Sequence, residues 1–108
     1  MPNKIRTREE FSEHLRLSSD ELSKDEKLSK DAVNLISKAD KYNWIHQTSW
    51  FGEPILNIPQ DLFALQEIIF ETRPDFIIEL GVAWGGSLLF YSSLMEILGG
   101  KKIIGIRR

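Results

Sequence analysis

One stretch near the C-terminal end constrains the fold of this chain more than any other. Residues 74–80 read Pro-Asp-Phe-Ile-Ile-Glu-Leu, a short apolar run with an acidic residue, Glu79, near its end. Three glycines lie within the next six positions, and an apolar run with helical spacing begins at Ser87. This order is typical of a strand, a ligand-cradling loop and a helix.

Proline and glycine positions define the neighbouring elements. Pro59 in the first turn and Pro74 after the last turn predict a helix over 61–72, since proline disfavours the helical conformation in the residue before it. A second predicted helix, 87–98, ends at two glycines, and residues 102–106 are predicted as a strand. The result is one β-α-β unit, whose parallel strands we expect to be covered on both faces.

Apolar spacing predicts which helix faces are buried. The buried face of helix 61–72 should comprise Leu62, Leu65, Ile68 and Ile69. Helix 87–98 carries two apolar stripes, so we expect burial on more than one side; they are Leu88, Tyr91, Met95 and Leu98, and Phe90, Leu94 and Ile97.

Charge divides the chain into two predicted parts. Residues 1–41 hold 18 charged side chains, nine of each sign, whereas all seven glycines lie in residues 42–108. We interpret 1–41 as a charged helical segment with a capping box, Thr7 to Glu10. The spacing of Ser18 and Glu21 predicts the start of a second short helix, and Ser29 is predicted to cap a third, with 18–30 polar enough for a mobile linker.

Aromatic residues are concentrated between Tyr42 and Gly52, in a segment followed by Pro54 and Pro59. We predict an irregular segment packed over the second part. Its rings either anchor a loop or line a substrate pocket, and the sequence leaves both readings open.

Composition excludes several classes of function. A formal charge of −2 gives no electrostatic footprint for nucleic acid, and the absence of cysteine excludes a disulfide framework and a thiolate site. The start of the chain has no apolar leader and no run is long enough to span a bilayer, so a cytoplasmic location is expected. His14 and His46 lie 32 positions apart with no other ligands beside them, so no metal site is predicted.

The spacing of Glu79, Gly81, Gly85 and Gly86 suits a ligand with charges of both signs. Free amides and the positive dipole end of the following helix favour a carboxylate, while Glu79 can accept from an ammonium group. In the alternative reading, Glu79 only ties down a tight turn.

Longer strings in the second part resemble the cephalosporin hydroxylase / rhamnosyl O-methyltransferase family, whose members are similar to class I S-adenosylmethionine-dependent methyltransferases. The resemblance covers roughly residues 42–106 and rests on residues 50–55, 59–62, 65–69, 73–81 and 85–91. It implies an α/β fold, namely a Rossmann-like methyltransferase fold that is incomplete here, with one β-α-β unit preceded by helices. Residues 42–108 would be the N-terminal part of that domain.

The resemblance also implies a cofactor site. By position, the residues that match the S-adenosylmethionine loop of the family are Glu79, Gly81, Ala83, Gly85, Gly86 and Ser87. Ala83 stands where many methyltransferases have a glycine. In the family the second strand runs into Gly-Ile-Asp, and the aspartate holds the ribose, whereas Arg107 follows Gly105-Ile106 here. Catalytic residues are not assigned, and a divalent metal is expected only in a full-length protein.

The leading hypothesis is a methyltransferase-like chain, truncated and weakly active or inactive alone. Full-length relatives would methylate a hydroxyl of a sugar, a lipid-linked sugar or a natural product. The alternative is a non-enzymatic interaction module or half-domain that a partner completes, with self-association expected because two strands cannot bury the apolar faces alone. A nicotinamide-binding oxidoreductase is a weaker third reading. Such a site needs an acidic residue about 20 positions after the glycine motif, and the residue found there is Arg107.

Overall fold

The computed structural model describes residues 5–107, which form two compact units divided between Lys38 and Ala39. In chain order the elements are α1 (Arg8–Ser23), α2 (Glu26–Asp40), a 3-10 turn (Trp44–His46), β1 (Thr48–Trp50), β2 (Glu53–Ile55), α3 (Pro59–Thr72), β3 (Phe76–Leu80), α4 (Gly86–Leu98) and β4 (Lys102–Ile106). Helices and strands are mixed, which agrees with the predicted α/β class.

Helix α1 begins at the predicted capping box. The Glu10 amide donates to Thr7 Oγ1 at 3.1 Å, and the Glu10 carboxylate accepts from the Thr7 amide at 3.4 Å. The predicted start of a second helix at Ser18 is wrong, because α1 continues without a break to Ser23. Arg16 pairs with Glu13 and Asp20 across one turn in each direction, which favours this continuous helix.

The predicted linker over 18–30 is also wrong. The helical hydrogen bonding is interrupted only around Lys24 and Asp25, and Asp25 Oδ1 accepts from the Leu28 amide at 2.9 Å. Asp25 therefore caps α2, and Ser29 lies inside that helix. Neither α1 nor α2 contains a buried residue.

The aromatic segment of the second unit is more regular than predicted. Strands β1 and β2 pair antiparallel with Thr48 opposite Ile55, and a two-residue loop, Phe51-Gly52, joins them. Both loop residues have positive φ, 47° and 85°, as a type I′ hairpin turn requires. The predicted irregular segment is therefore a short hairpin, whose Pro54 is tolerated because the sheet has only two strands.

Helix α3 begins at Pro59 and is followed by Arg73, which adopts a left-handed conformation before Pro74. The predicted boundaries are confirmed within two residues. Ile69 is buried and Leu62 and Leu65 are half-buried, but Ile68 is 54% exposed, so its predicted burial is wrong. Ile68 is 100° around the helix from Ile69, beyond the side that packs against the rest of this unit.

Strands β3 and β4 are parallel and have the predicted bounds, with Ile78 opposite Ile104. Helix α4 packs on one face of this pair, where Gly105 lies against the Leu88 side chain. The other face is open, which contradicts the expected cover on both faces. Its exposed apolar side chains are Phe76, Ile78, Leu80, Ile104 and Ile106, which we call the open sheet face.

Helix α4 contacts β1, β2, β4 and α3, and it ends as predicted at Gly99. Phe90 and Met95, one from each predicted stripe, are 3% and 5% exposed, so burial on more than one side is confirmed. Ile97 is 79% exposed and is an error in that prediction. The buried apolar core of the described residues consists of Phe90 and Met95 together with Ile55 and Ile69.

The first residue of α4 touches the hairpin directly. A Cβ on Gly86 would lie 2.1 Å from the Pro54 carbonyl oxygen, a backbone atom that cannot rotate away. Only glycine therefore allows β2 and α4 to approach this closely.

We expect Gly86→Ala to lower the free energy of unfolding by about 1–3 kcal/mol, because the new methyl group overpacks this contact. The sign is diagnostic, since alanine in a helix without such a contact stabilises by about 1 kcal/mol relative to glycine. Urea unfolding monitored by tryptophan fluorescence measures the change. Ser92→Ala, at an exposed position of α4, is the control and should change stability little. Equal stability of Gly86→Ala and the wild type would contradict the close contact.

Candidate functional site

The loop between β3 and α4 has an unusual backbone. Gly81, Ala83 and Gly85 all have positive φ, at 83°, 48° and 89°. The Gly81 amide donates to the Ile106 carbonyl at 2.9 Å, which joins the loop to the end of β4. Glycine adopts these angles freely, but Ala83 does so at a steric cost, so the loop is held in a strained turn.

Helix α4 starts at this loop without a side-chain cap. Gly85 is the residue that precedes the helix, and it offers no side-chain oxygen to the amides of the first turn. The positive end of the helix dipole lies at the same point. An anionic group of a ligand can therefore accept from these amides.

Glu79 is the acidic side chain of the site. Ser87 Oγ donates to Glu79 Oε1 at 2.5 Å, so the hydroxyl at the start of α4 fixes the carboxylate at the end of β3. Glu79 Oε2 is buried and has no hydrogen-bond partner within residues 5–107. A buried carboxylate oxygen without a donor is costly, and a cationic ligand group would satisfy it.

These groups surround a cavity of about 130 Å³, which we call the Glu79 cavity. Five of the six predicted site residues line it, namely Glu79, Gly81, Ala83, Gly86 and Ser87, while Gly85 is the residue before α4. The sequence did not reveal its other wall, which consists of Pro54, Leu56 and Asn57 beside Val82. That wall comes from β2 and the residues after it, and it depends on the hairpin that the sequence did not predict.

The sequence predicted only a packing role for Tyr91, but in the structure this side chain is influenced by the charge of Glu79. Burial, and then the negative charge of Glu79, raise the pKa of the Tyr91 phenol. Its position four residues after Ser87, one helical turn further along α4, is the signal that places it on the Glu79 side.

A metal site and a membrane-spanning helix have no support in the described part of the chain. No group of three or more His, Cys, Asp or Glu side chains within 5–107 is placed to hold a metal ion. Within the same residues, no helix is both long enough and apolar enough to cross a membrane.

Comparisons with known proteins agree on one family. The sequence model of the family described as Rhamnosyl O-methyltransferase/CmcI matches residues 42–107. A rhamnosyl O-methyltransferase of Mycobacterium leprae (strain TN) is 38% identical over 52 residues, which cover 48% of this chain and 23% of that protein.

Rhamnosyl O-methyltransferases of Mycobacterium bovis (strain BCG / Pasteur 1173P2) and Mycobacterium tuberculosis (strain ATCC 25618 / H37Rv) are 30% identical over 53 residues. These matches cover 49% of this chain and 22% of each relative. The chain thus matches less than a quarter of the length of these curated relatives. No solved structure matches it significantly.

The raised pKa of Tyr91 predicts a specific loss of stability in alkali. The folded chain holds this proton more tightly than the unfolded chain, whose tyrosines ionise near pH 10, so stability falls as the pH rises above about 10. Tyr91→Phe has no phenol proton to lose, and its unfolding free energy should fall less between about pH 9 and pH 11. Urea unfolding at both pH values measures the difference.

Tyr42→Phe is the matched control, because Tyr42 is 67% exposed. This variant should keep the full alkaline loss of the wild type. Equal pH dependence in the two variants would show that the environment of Tyr91 does not favour its protonated form.

Proposed function

The chain belongs to the Rhamnosyl O-methyltransferase/CmcI family, and from this premise we propose that the Glu79 cavity binds the methionine end of S-adenosylmethionine. The bound cofactor supplies an activated methyl group. The acceptor is a hydroxyl group of a sugar, a lipid-linked sugar or a natural product, as the names of the curated relatives suggest for a rhamnosyl group.

The unpartnered Glu79 Oε2 is the observation that carries this proposal. A methionine end presents an ammonium group, which donates hydrogen bonds and carries a positive charge, so it fits a buried carboxylate oxygen. Its carboxylate fits the uncapped amides at the start of α4. Both charges of an amino acid therefore have a complementary group in one cavity.

The size of the cavity limits what it holds. At about 130 Å³ it is smaller than the roughly 300–1,000 Å³ of sites that enclose a whole small molecule. The cavity therefore suits the amino-acid end, and the nucleoside lies outside it. The family aspartate that holds the ribose has Arg107 at its position, so we expect weak affinity in this chain.

The roles of the individual residues follow from their positions. Glu79 binds and orients the amino group, and Ser87 keeps the Glu79 carboxylate in place. Gly81 and Gly85 give the loop its positive-φ turn. Among the described residues, Glu79 is the one titratable side chain that lines the cavity, and it is already used in binding, so none of these residues supplies a general base for the acceptor hydroxyl there. We therefore propose that these 108 residues alone do not turn over substrate.

The β3-α4-β4 unit supports a Rossmann-like fold, because its strands are parallel and its loop lies at their carboxyl ends. We assign residues 42–108 to the methyltransferase-like domain and 1–41 to a separate helical segment. The family match to 42–107 supports this division.

We expect Glu79→Gln to weaken binding of S-adenosylmethionine and S-adenosylhomocysteine at least tenfold, because a neutral amide replaces the carboxylate that attracts their amino group. Adenosine has no amino-acid end, so its weaker binding should not change. Ligand-observed NMR titration suits the low affinities expected.

Glu67→Gln makes the same charge change at an exposed position of α3 and should leave all three titrations unchanged. Wild-type affinity in Glu79→Gln would refute the assigned role of the carboxylate. Measurable methyl transfer by the wild-type chain alone would refute the proposed inactivity.

The open sheet face favours a second candidate function, an interaction module that associates with another copy of itself. Ile78 at its centre is 62% exposed, and at its end Leu80 is 76% exposed beside Ile106 of the neighbouring strand at 49%. Contiguous apolar surface of this kind is typical of an interface. Burying it between two copies would remove it from water without a further domain.

We expect Ile78→Lys to reduce self-association at least tenfold, because a charge in the centre of the face must be desolvated in any dimer. Sedimentation velocity over a range of concentrations measures the change. Ile97→Lys, at a still more exposed apolar position on α4, is the control and should associate as the wild type does. A wild-type chain that stays monomeric at high concentration would exclude this candidate.

A further inference from the structure

A second cavity, apolar and distinct from the Glu79 cavity, lies between the hairpin, α3 and α4. Its volume is about 290 Å³, and none of the residues that line it lines the Glu79 cavity. Both β2 and α4 contribute to the two cavities, but with different residues: in β2, for example, Pro54 faces the Glu79 cavity and Ile55 faces the apolar one.

The aromatic wall of the apolar cavity is fixed before any ligand binds. The Trp50 indole N–H donates to Ser93 Oγ at 3.0 Å, and its ring meets Phe90 edge to face, with 5.1 Å between the centroids. Phe90 is 3% exposed and Ile55 is 1% exposed. A rigid wall of this kind loses little conformational entropy when a ligand binds.

The opposite wall consists of residues of α3. Pro59, Leu62 and Phe63 contribute apolar surface, and Gln66 contributes a half-buried amide. Within the described residues, no charged side chain lines the cavity. Two of its polar groups are already in use, because Thr48 Oγ1 donates to the carbonyls of Ile55 and Asn57 and Trp50 donates to Ser93.

We propose that the apolar cavity is a binding site for an uncharged, ring-shaped apolar group of a small molecule. An apolar cavity of about 150 Å³ accepts a benzene molecule, so about twice that volume fits a substituted ring or two fused rings. An ionised group would lose its hydration without gaining a partner, so charged ligands are excluded. The Gln66 amide can pair with one polar atom of the ligand. This site does not depend on the proposed cofactor site, because the two have no lining residue in common.

Fluorine NMR with two probes of similar size tests the site in the full chain. Fluorobenzene is uncharged, whereas 4-fluorobenzoate carries a negative charge at neutral pH. We expect fluorobenzene to bind at least tenfold more tightly than 4-fluorobenzoate. Equal binding of the two probes, or no binding of fluorobenzene up to its solubility limit, would overturn the proposal.

Leu62→Trp locates the bound probe, because the larger ring fills the cavity from α3. We expect at least tenfold weaker fluorobenzene binding and a thermal unfolding midpoint no lower than that of the wild type. Ile68→Trp adds a similar bulk at an exposed position of the same helix and should bind fluorobenzene normally.

If Leu62→Trp binds fluorobenzene as the wild type does, the probe lies elsewhere, for example on the open sheet face, and the proposal fails. If Leu62→Trp does not fold, Ile78→Lys decides instead: a charge on the open sheet face should leave fluorobenzene binding unchanged, and a loss of binding in this variant would overturn the proposal. If S-adenosylmethionine does not bind the chain, the expected results with fluorobenzene stay the same. The two proposals are therefore tested independently.

Discussion

The close approach of α4 to the hairpin at Gly86 is the contact on which the second unit depends. Because Gly86 has no side chain, the Pro54 carbonyl can lie against the first turn of α4. This contact brings the residues after β2 beside the loop and so closes the Glu79 cavity on its second side. Ile55, which follows Pro54 in β2, faces the opposite way and is the most deeply buried side chain of the described residues. One small residue thus permits both cavities.

The sequence predicted best those elements whose boundaries depend on a single residue, such as a proline or a glycine. The bounds of α3, β3, α4 and β4 were predicted closely, because Pro59, Pro74 and Gly99 determine the backbone at their own positions. The hairpin was missed because Gly52 and Pro54 were read as breakers. In the structure Gly52 supplies a positive φ to a two-residue turn, and Phe51, a residue not typical of such turns, supplies the other.

The candidate site shows the same limit. The loop glycines, Glu79 and Ser87 lie within nine consecutive positions, so their proximity follows from the strand-loop-helix pattern alone. Asn57 and Leu56 come from a distant part of the chain and reach the cavity only through packing. Their presence could not be read from local propensity. The openness of the sheet face likewise depends on which elements pack against it.

Electrostatics links the site to the residue that follows β4. The register of the parallel strands and the Gly81 to Ile106 hydrogen bond bring the end of β4 beside the loop, and Arg107 is the next residue. Glu79 presents one unpartnered oxygen to attract a cationic group, whereas Arg107 adds an exposed positive charge on the same edge of the sheet. The proposed ligand, S-adenosylmethionine, carries both an ammonium and a sulfonium group, so in the proposed complex this arginine would oppose the attraction that Glu79 provides, although solvent would screen its effect. Under that proposal the buried interaction would dominate at the amino-acid end, and the exposed charge would weaken binding toward the nucleoside end.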